Sequence, residues 1–348
     1  MAFALVQAGH RVLVETHAGE KIGFSDDAYR DAGAQIVNGP ADVFEAEMII
    51  KVKEPQVQEF EHLKENQILF CYLHLAPDPE QTRALIEKKV IGIAYETITD
   101  AAGRLPLLTP MSEIAGRVAV QAGAWALQMV NGGKGVLLGG VPGVHPAHVV
   151  IIGGGVVGTE AARMAMGLGA NVRILDTNLD RLRQLDLQFG PNLKTLFSTP
   201  YEIEKCAVEA DILIGSVLIP GKLAPKLITR PLLRKMAPGS VFVDVAIDQG
   251  GCSDTSRPTT HGEPIYTEEG VIHYCVANIP GACAKTATVA LTNATTFYAL
   301  TLANKGFPDA LKEDPGLKNG LNVYLGHVTN KAVAEDLDYP FVPASDVI

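Results

Sequence analysis

The chain has 348 residues, 47% of them hydrophobic and 20% charged, which is too apolar for a disordered chain and long enough for two domains of roughly 100 to 200 residues each. With 29 basic against 39 acidic residues the formal charge is −10, a sign that disfavours nucleic acid and other polyanions as partners. The five cysteines, Cys71, Cys206, Cys252, Cys275 and Cys283, form no CxxC pair, so neither a disulfide framework nor a thiolate metal site is expected, and a reducing cytoplasm fits. The opening MAFALVQAGHRVLVE has no basic start followed by an apolar core and a small-residue cleavage site. The two longest uncharged stretches, 136–158 and 286–304, are broken by Gly and Pro or loaded with Thr and Asn. Neither secretion nor a membrane partner is expected.

In chain order, a helix over Met1–Gln7 stopped by Gly9 comes first. Short β-branched runs predict strands at Arg11–Glu15, Met48–Lys53, Ile68–His74 and Val90–Tyr95, with a helix from the cap-like Asp78 to Lys88. An α/β unit normally enters through a strand, so an opening strand is missing from this pattern. Over Met111–Val130, Ile114, Val118, Ala122, Trp125 and Met129 fall at helical spacing and predict one long, largely buried helix that bridges two domains. Six almost uncharged runs follow, Val149–Ile152, Val172–Asp176, Thr195–Ser198, Ile212–Val217, Val241–Ala246 and Ile272–Val276, as strands buried on both faces should read. Helices over Thr286–Lys305 and Thr329–Asp336 then return to the first domain. The expected fold class is α/β, a doubly wound parallel sheet over 108–285 inserted into a discontinuous domain made of 1–107 and 286–348.

Gly153, Gly155 and Gly158 form G-x-G-x-x-G between the run HVVII and the helical VVGTEAARMAMGLG. In that strand-turn-helix context, glycines let backbone N–H groups approach a pyrophosphate. The next strand ends in Asp176, 23 residues after Gly153, where a carboxylate accepts hydrogen bonds from adenosine ribose hydroxyls and repels a 2′-phosphate. The expected cofactor is NAD rather than NADP. No G-x-x-x-x-G-K-[ST] loop is present, so phosphoryl transfer is not indicated.

Ligands of open α/β sheets sit beyond the carboxyl ends of the strands. Three titratable groups lie there: Lys53 closes EMIIKVKEP, His74 closes ILFCYLH, and Asp248 follows VFVDVAID. A cleft between domains would unite them. Hydride transfer to a carbonyl or imine needs a proton donor and acceptor, which His provides near neutral pH, and a cation near the developing oxyanion or a substrate carboxylate, which Lys provides. The same residues also serve as ordinary structural hydrogen-bonders, and Lys51, on the opposite face of its strand, reads as solvated. No HExxH motif or clustered His and carboxylate set implies a metal.

Together KVKEP at 51–55, LHLAP at 73–77, PLLTPMSEIAGR at 106–117, GGVPGV at 139–144, VDVAIDQGG at 243–251, SRPTT at 256–260 and CVANIPGACAKTAT at 275–288 give the chain a specific likeness. From Gly9 onward it resembles the bacterial L-alanine dehydrogenases. The resemblance implies two Rossmann-like domains, a homohexamer, and reversible NAD-dependent oxidative deamination of L-alanine to pyruvate and ammonium. It further implies that His74 is the acid/base, Lys53 holds the substrate, and Asp248 assists the water and ammonia steps. For the cofactor it implies Ser112, the turn residues Val156 and Val157, Asp176, Arg181, Ser198, Val217, Leu218, the segment Val245, Ala246, Ile247 and Asp248, then Arg257 and the loop Val276, Ala277, Asn278 and Ile279. Where Ile279 stands the family often has Met. On this resemblance the alanine Cα loses hydride to the nicotinamide, and water attacks the resulting imine with His74 and Asp248 relaying protons.

The likeness departs at the start. The family opens with a strand and an RVALTP-like segment whose arginine binds the substrate carboxylate, and neither precedes Met1. The expected consequence is weakened alanine binding, at about 1.5 to 3 kcal/mol per charged hydrogen bond. Two other readings compete: a non-catalytic or N-terminally truncated NAD(H)-binding protein, and the NAD-binding subunit of a transhydrogenase, in which the KVKEP and LHLAP pair is not expected.

Overall fold

The computed structural model describes residues 1–217, 219 and 223–348. Its early strands are β1 (Leu13–Glu15), β2 (Gln35–Val37), β3 (Met48–Ile50), β4 (Ile68–Cys71) and β5 (Ile91–Ala94). Then come β6 (His148–Ile152), β7 (Asn171–Asp176), β8 (Leu193–Phe197), β9 (Ile212–Gly215), β10 (Val241–Asp244), β11 (Ile265–Glu268) and β12 (Val271–Tyr274), and last β13 (Leu321–Tyr324) and β14 (His327–Val328). The chain divides into two compact units: one of Met1–Pro110 and Ala284–Ile348, the other of Met111–Ile219 and Leu223–Cys283.

The second unit holds a seven-stranded sheet in the order β11-β12-β10-β9-β6-β7-β8. Six of these strands run parallel. The seventh, β11, is antiparallel to β12 and was not expected: its IYTE is half-buried and lacks the apolar run that a strand covered on both faces needs. Along β6 successive side chains go to opposite cores. Val149 and Ile151 pack with Ala161, Ala165 and Ile214 on one side, while Val150 and Ile152 pack with Ile203, Leu213 and Phe242 on the other.

The helix predicted over Met111–Val130 spans Thr109–Ala126, and its buried face differs from the expected one. Trp125 is 41% and Met129 79% exposed, whereas Ala115, Gly116, Ala119, Gly123 and Ala126 are buried. Small residues let this helix lie close against its neighbours. A Cβ on Gly116 would come within 2.3 Å of the Val157 carbonyl oxygen. Large apolar side chains weigh most in a periodicity count, so the close-packed small stripe was passed over.

In the first unit β3, β4 and β5 are parallel and continue through antiparallel β13 to β14, while β1 and β2 form a separate parallel pair. β2 and the β13–β14 hairpin were not expected from the sequence. Among the described residues β1 and β3 do not pair with each other, and residues of both line a groove of about 1350 Å³. The predicted strand Ile68–His74 stops at Cys71 because the chain turns out of the ladder at His74. No helix among the described residues is long and apolar enough to cross a membrane.

His273, on β12, is fully buried. Its Nδ1–H donates to the Val271 carbonyl at 2.9 Å, which leaves Nε2 to accept from Thr255 Oγ1 at 2.8 Å. Burial holds this imidazole below its usual pKa. The unfolded chain therefore binds the extra proton first, and stability present above about pH 6.5 is lost as pH falls below that value. Urea unfolding at pH 7.5 and 5.5 is expected to show a loss of stability on acidification that is smaller in His273→Gln.

Candidate active site

The turn after β6 is built around its own backbone. Gly153 has φ +105°, a left-handed conformation that favours glycine. A Cβ on Gly158 would stand 1.9 Å from the Gly153 carbonyl oxygen, so only glycine lets the helix Val156–Gly167 start this close to the strand. Gly155, its N-cap, has nothing within 4 Å of a built Cβ and faces open space. Val157 is buried and Val156 exposed.

Asp176 ends β7 and closes this turn from the side. Its Oδ2 accepts from the Gly154 N–H at 2.6 Å and its Oδ1 from the Asn178 N–H at 2.7 Å. Arg181 braces the same residue from its other side: Nε donates to the Gly154 carbonyl at 2.6 Å and Nη2 to Thr159 Oγ1 at 2.6 Å. Ser216, which the sequence did not single out, ties β9 to the turn through Oγ, donating to the Ile152 and Gly153 carbonyls.

The remaining loops of this unit also leave the carboxyl ends of parallel strands. Ser198 follows β8 and donates its N–H to the Asp176 carbonyl. Val217 follows β9 and packs on the core; Leu218 lies outside the described residues. Val245, Ala246, Ile247 and Asp248 lie in a 3-10 helix after β10. The Asp248 carboxylate accepts from the Asn278 N–H at 3.2 Å, which links this helix to the loop Val276–Ile279 after β12. Within that loop Asn278 has φ +56°, Ala277 is exposed, and Val276 and Ile279 are buried in the core. The Arg257 guanidinium stacks 3.9 Å above the Tyr266 ring, and Ser112 is buried in the first turns of the helix Thr109–Ala126.

A second missed residue, Asp244, organises the Val245–Ser256 loop. Fully buried at the end of β10, it accepts from the Ala246 N–H (3.0 Å), the Cys252 N–H (2.9 Å) and the Ser256 hydroxyl. Burial pushes its carboxyl up, against the pull of these donors. Its alternating position in VFVD made it look like an ordinary strand residue.

In the first unit Lys53 and His74 follow the adjacent parallel strands β3 and β4. Lys53 Nζ lies 3.5 Å from the Glu54 carboxylate. Lys51, expected to be solvated, is instead partly buried and paired with Glu59 at 2.5 Å. His74 has φ +46°, a left-handed backbone rare for a non-glycine residue and costing of order 1–3 kcal/mol. Its ring stacks on Tyr72, with centroids 5.7 Å apart and planes 7° from parallel. Tyr72 is itself fixed by its hydroxyl donating to the Leu107 carbonyl at 2.6 Å. Close to His74 lies Glu96, a buried carboxylate in the 3-10 turn Tyr95–Thr97 that follows the apolar β5.

The glycine turn, the strand-ending carboxylate and the parallel sheet define a Rossmann-type α/β protein. Comparison with known proteins narrows this class. "Alanine dehydrogenase/PNT, N-terminal domain" matches residues 2–115 and "Alanine dehydrogenase/PNT, C-terminal domain" matches residues 119–331. The chain belongs to the alanine dehydrogenase/PNT family. An alanine dehydrogenase of Methanococcus maripaludis is 56% identical over 99% of this chain and 93% of its own length, and one of Bacillus subtilis 56% identical over 99% and 91%. A solved L-alanine dehydrogenase superposes with TM-score 0.88 at 51% identity, covering 97% of this chain and 93% of that one. A transhydrogenase from Sinorhizobium meliloti shares the fold, with TM-score 0.75 at 24% identity, covering 95% and 93%.

Removing the Asp244 carboxylate orphans the buried Ala246 and Cys252 N–H groups. At about 1–3 kcal/mol per orphaned donor, Asp244→Ala is expected to lower unfolding free energy by several kcal/mol, read as a lower urea midpoint.

Proposed function

We propose that this protein catalyses the reversible NAD-dependent oxidative deamination of L-alanine to pyruvate and ammonium. The observation that carries the reading is the pairing of Lys53 and His74 at the carboxyl ends of adjacent parallel strands in a chain that also holds the glycine turn and Asp176. The 56% identity to alanine dehydrogenases, against 24% to a transhydrogenase, favours the same substrate.

The residues present fit a dinucleotide. The open side of Gly155 leaves room at the N-terminus of a 12-residue helix, whose first N–H groups suit a pyrophosphate. Each Asp176 oxygen accepts one N–H and keeps a further lone pair for a ribose hydroxyl. Ser112, Ser198, Val217, Val245–Asp248, Arg257 and Val276–Ile279 complete the candidate binding set, with Leu218 beside Val217 in sequence. NAD supplies the hydride acceptor when bound.

Lys53 binds the substrate carboxylate through its ammonium group. His74 accepts a proton from the reacting amino or hydroxyl group and returns it to the departing ammonia. Asp248 takes a proton from the attacking water, which converts the imino carbon to a carbinol and then to the keto acid.

Mixing the protein with NAD and L-alanine at alkaline pH is expected to generate NADH, with glycine and serine slower and a substrate-free control silent. Binding of NADH without any alanine-dependent reduction would instead favour a non-catalytic nucleotide-binding role. His74→Ala is expected to lower turnover by about 10²- to 10⁴-fold while NADH affinity, read by fluorescence titration, is retained; full turnover in that variant would remove His74 from the acid/base role.

A further inference from the structure

The segment Leu73–Leu75 has left the β4 ladder, yet it is held on every side by side chains. The buried Glu96 carboxylate accepts from the His74 N–H at 2.7 Å through Oε1 and from the Leu73 N–H at 3.2 Å through both oxygens. On the other side Gln81 Nε2 donates to the Leu73 carbonyl at 2.6 Å and Thr82 Oγ1 to the Leu75 carbonyl at 3.0 Å. Gln81 and Thr82 both come from the helix Pro79–Glu87. The left-handed backbone at His74 is thus over-determined by its neighbours, as a strained conformation must be to persist.

Glu96 also lies close to the imidazole itself, with Oε1 4.0 Å from His74 Nδ1. Its negative field is felt nearby: together with burial, which acts first, it pushes the Cys71 thiol and the Tyr72 phenol upward. Only 4% of Glu96 is exposed, so its charge is weakly screened there.

We propose that Glu96 is the positioning residue of the acid/base His74: its acceptor-only carboxylate clamps the left-handed turn that aims the ring, and its charge steadies the ring when protonated. The proposal rests on the assignment of His74 above. Its chemical signature is a need for two acceptor oxygens. A glutamine in this place presents an NH₂ group to backbone donors, whereas an aspartate keeps both acceptors and the charge at shorter reach.

The test compares Glu96→Gln, Glu96→Asp, His74→Ala and the double variant His74→Ala/Glu96→Gln in steady-state alanine oxidation, with thermal melts of each. Glu96→Gln is expected to lose about tenfold or more in kcat with KM for NAD little changed. Glu96→Asp is expected to retain more kcat than the isosteric Gln, the reverse of what a shape-filling role requires. Adding Glu96→Gln to His74→Ala is expected to slow the enzyme no further. Wild-type turnover in Glu96→Gln, a Gln variant faster than Asp, or an undiminished slowing in the His74→Ala background each overturns the proposal while leaving the His74 assignment standing. Full turnover in His74→Ala overturns that assignment and the proposal with it. Should Glu96→Gln not melt cooperatively, Glu96→Asp made with and without His74→Ala carries the same comparison.

Discussion

Parallel strand direction is the constraint on which the rest of this structure depends. A sheet of parallel strands returns each connection through a crossover, so all its carboxyl ends open on one edge and each strand delivers its loop there. In the second unit that edge collects the glycine turn, Asp176, Ser198, Val217, the Val245–Asp248 helix and the Val276–Ile279 loop. In the first it brings Lys53 and His74 to neighbouring strand ends. Within each unit, residues far apart in sequence reach one edge of a sheet because the backbone ladder leaves them nowhere else to go.

Holding such loops in shape falls to carboxylates, buried at Asp244 and Glu96 and partly buried at Asp176. Asp176 clamps the Gly154 peptide, Asp244 clamps Ala246 and Cys252, and Glu96 clamps Leu73 and His74. The geometry repeats: an acidic residue at the end of a parallel strand, or just beyond it, accepts backbone N–H groups that have lost their ladder partners. A charged acceptor makes these bonds stronger than neutral ones would be. Loops of irregular backbone, which would otherwise bury unsatisfied donors, thereby become rigid enough to present a histidine with left-handed φ.

How much of this the sequence discloses depends on the kind of signal. Strands buried on both faces are legible because both their faces are apolar, and β6, β9 and β10 lie where their runs of Val, Ile and Leu indicate. Gly153 and Gly158 are legible because each meets a steric demand that no other residue satisfies, a left-handed φ in one and a 1.9 Å approach of strand to helix in the other. β2 and β11 are not, since three or four half-buried residues carry no period long enough to count. Trp125 and Met129 misled through their size, while the alanines and glycines that make the contact are silent in a hydrophobicity pattern. Glu96 and Asp244 escaped for a different reason: their importance lies in backbone N–H groups of irregular loops, which for Glu96 are also distant in sequence, Leu73 being 23 positions away. The one clue available was a carboxylate placed two residues past the apolar strand IGIA in IGIAYET, a strand-end placement like the one that drew attention to His74.

Under the proposed function, hydride passes from the Cα of alanine to NAD while these strand-end residues hold the substrate and move protons. This transfer is tested most directly by incubating the protein with L-alanine deuterated at Cα and NAD, then weighing the nucleotide by mass spectrometry. NADH heavier by one deuterium, formed in step with pyruvate, is the expected result. Pyruvate formed alongside NADH that carries no deuterium, or no NADH at all from a protein that binds the nucleotide, would contradict it.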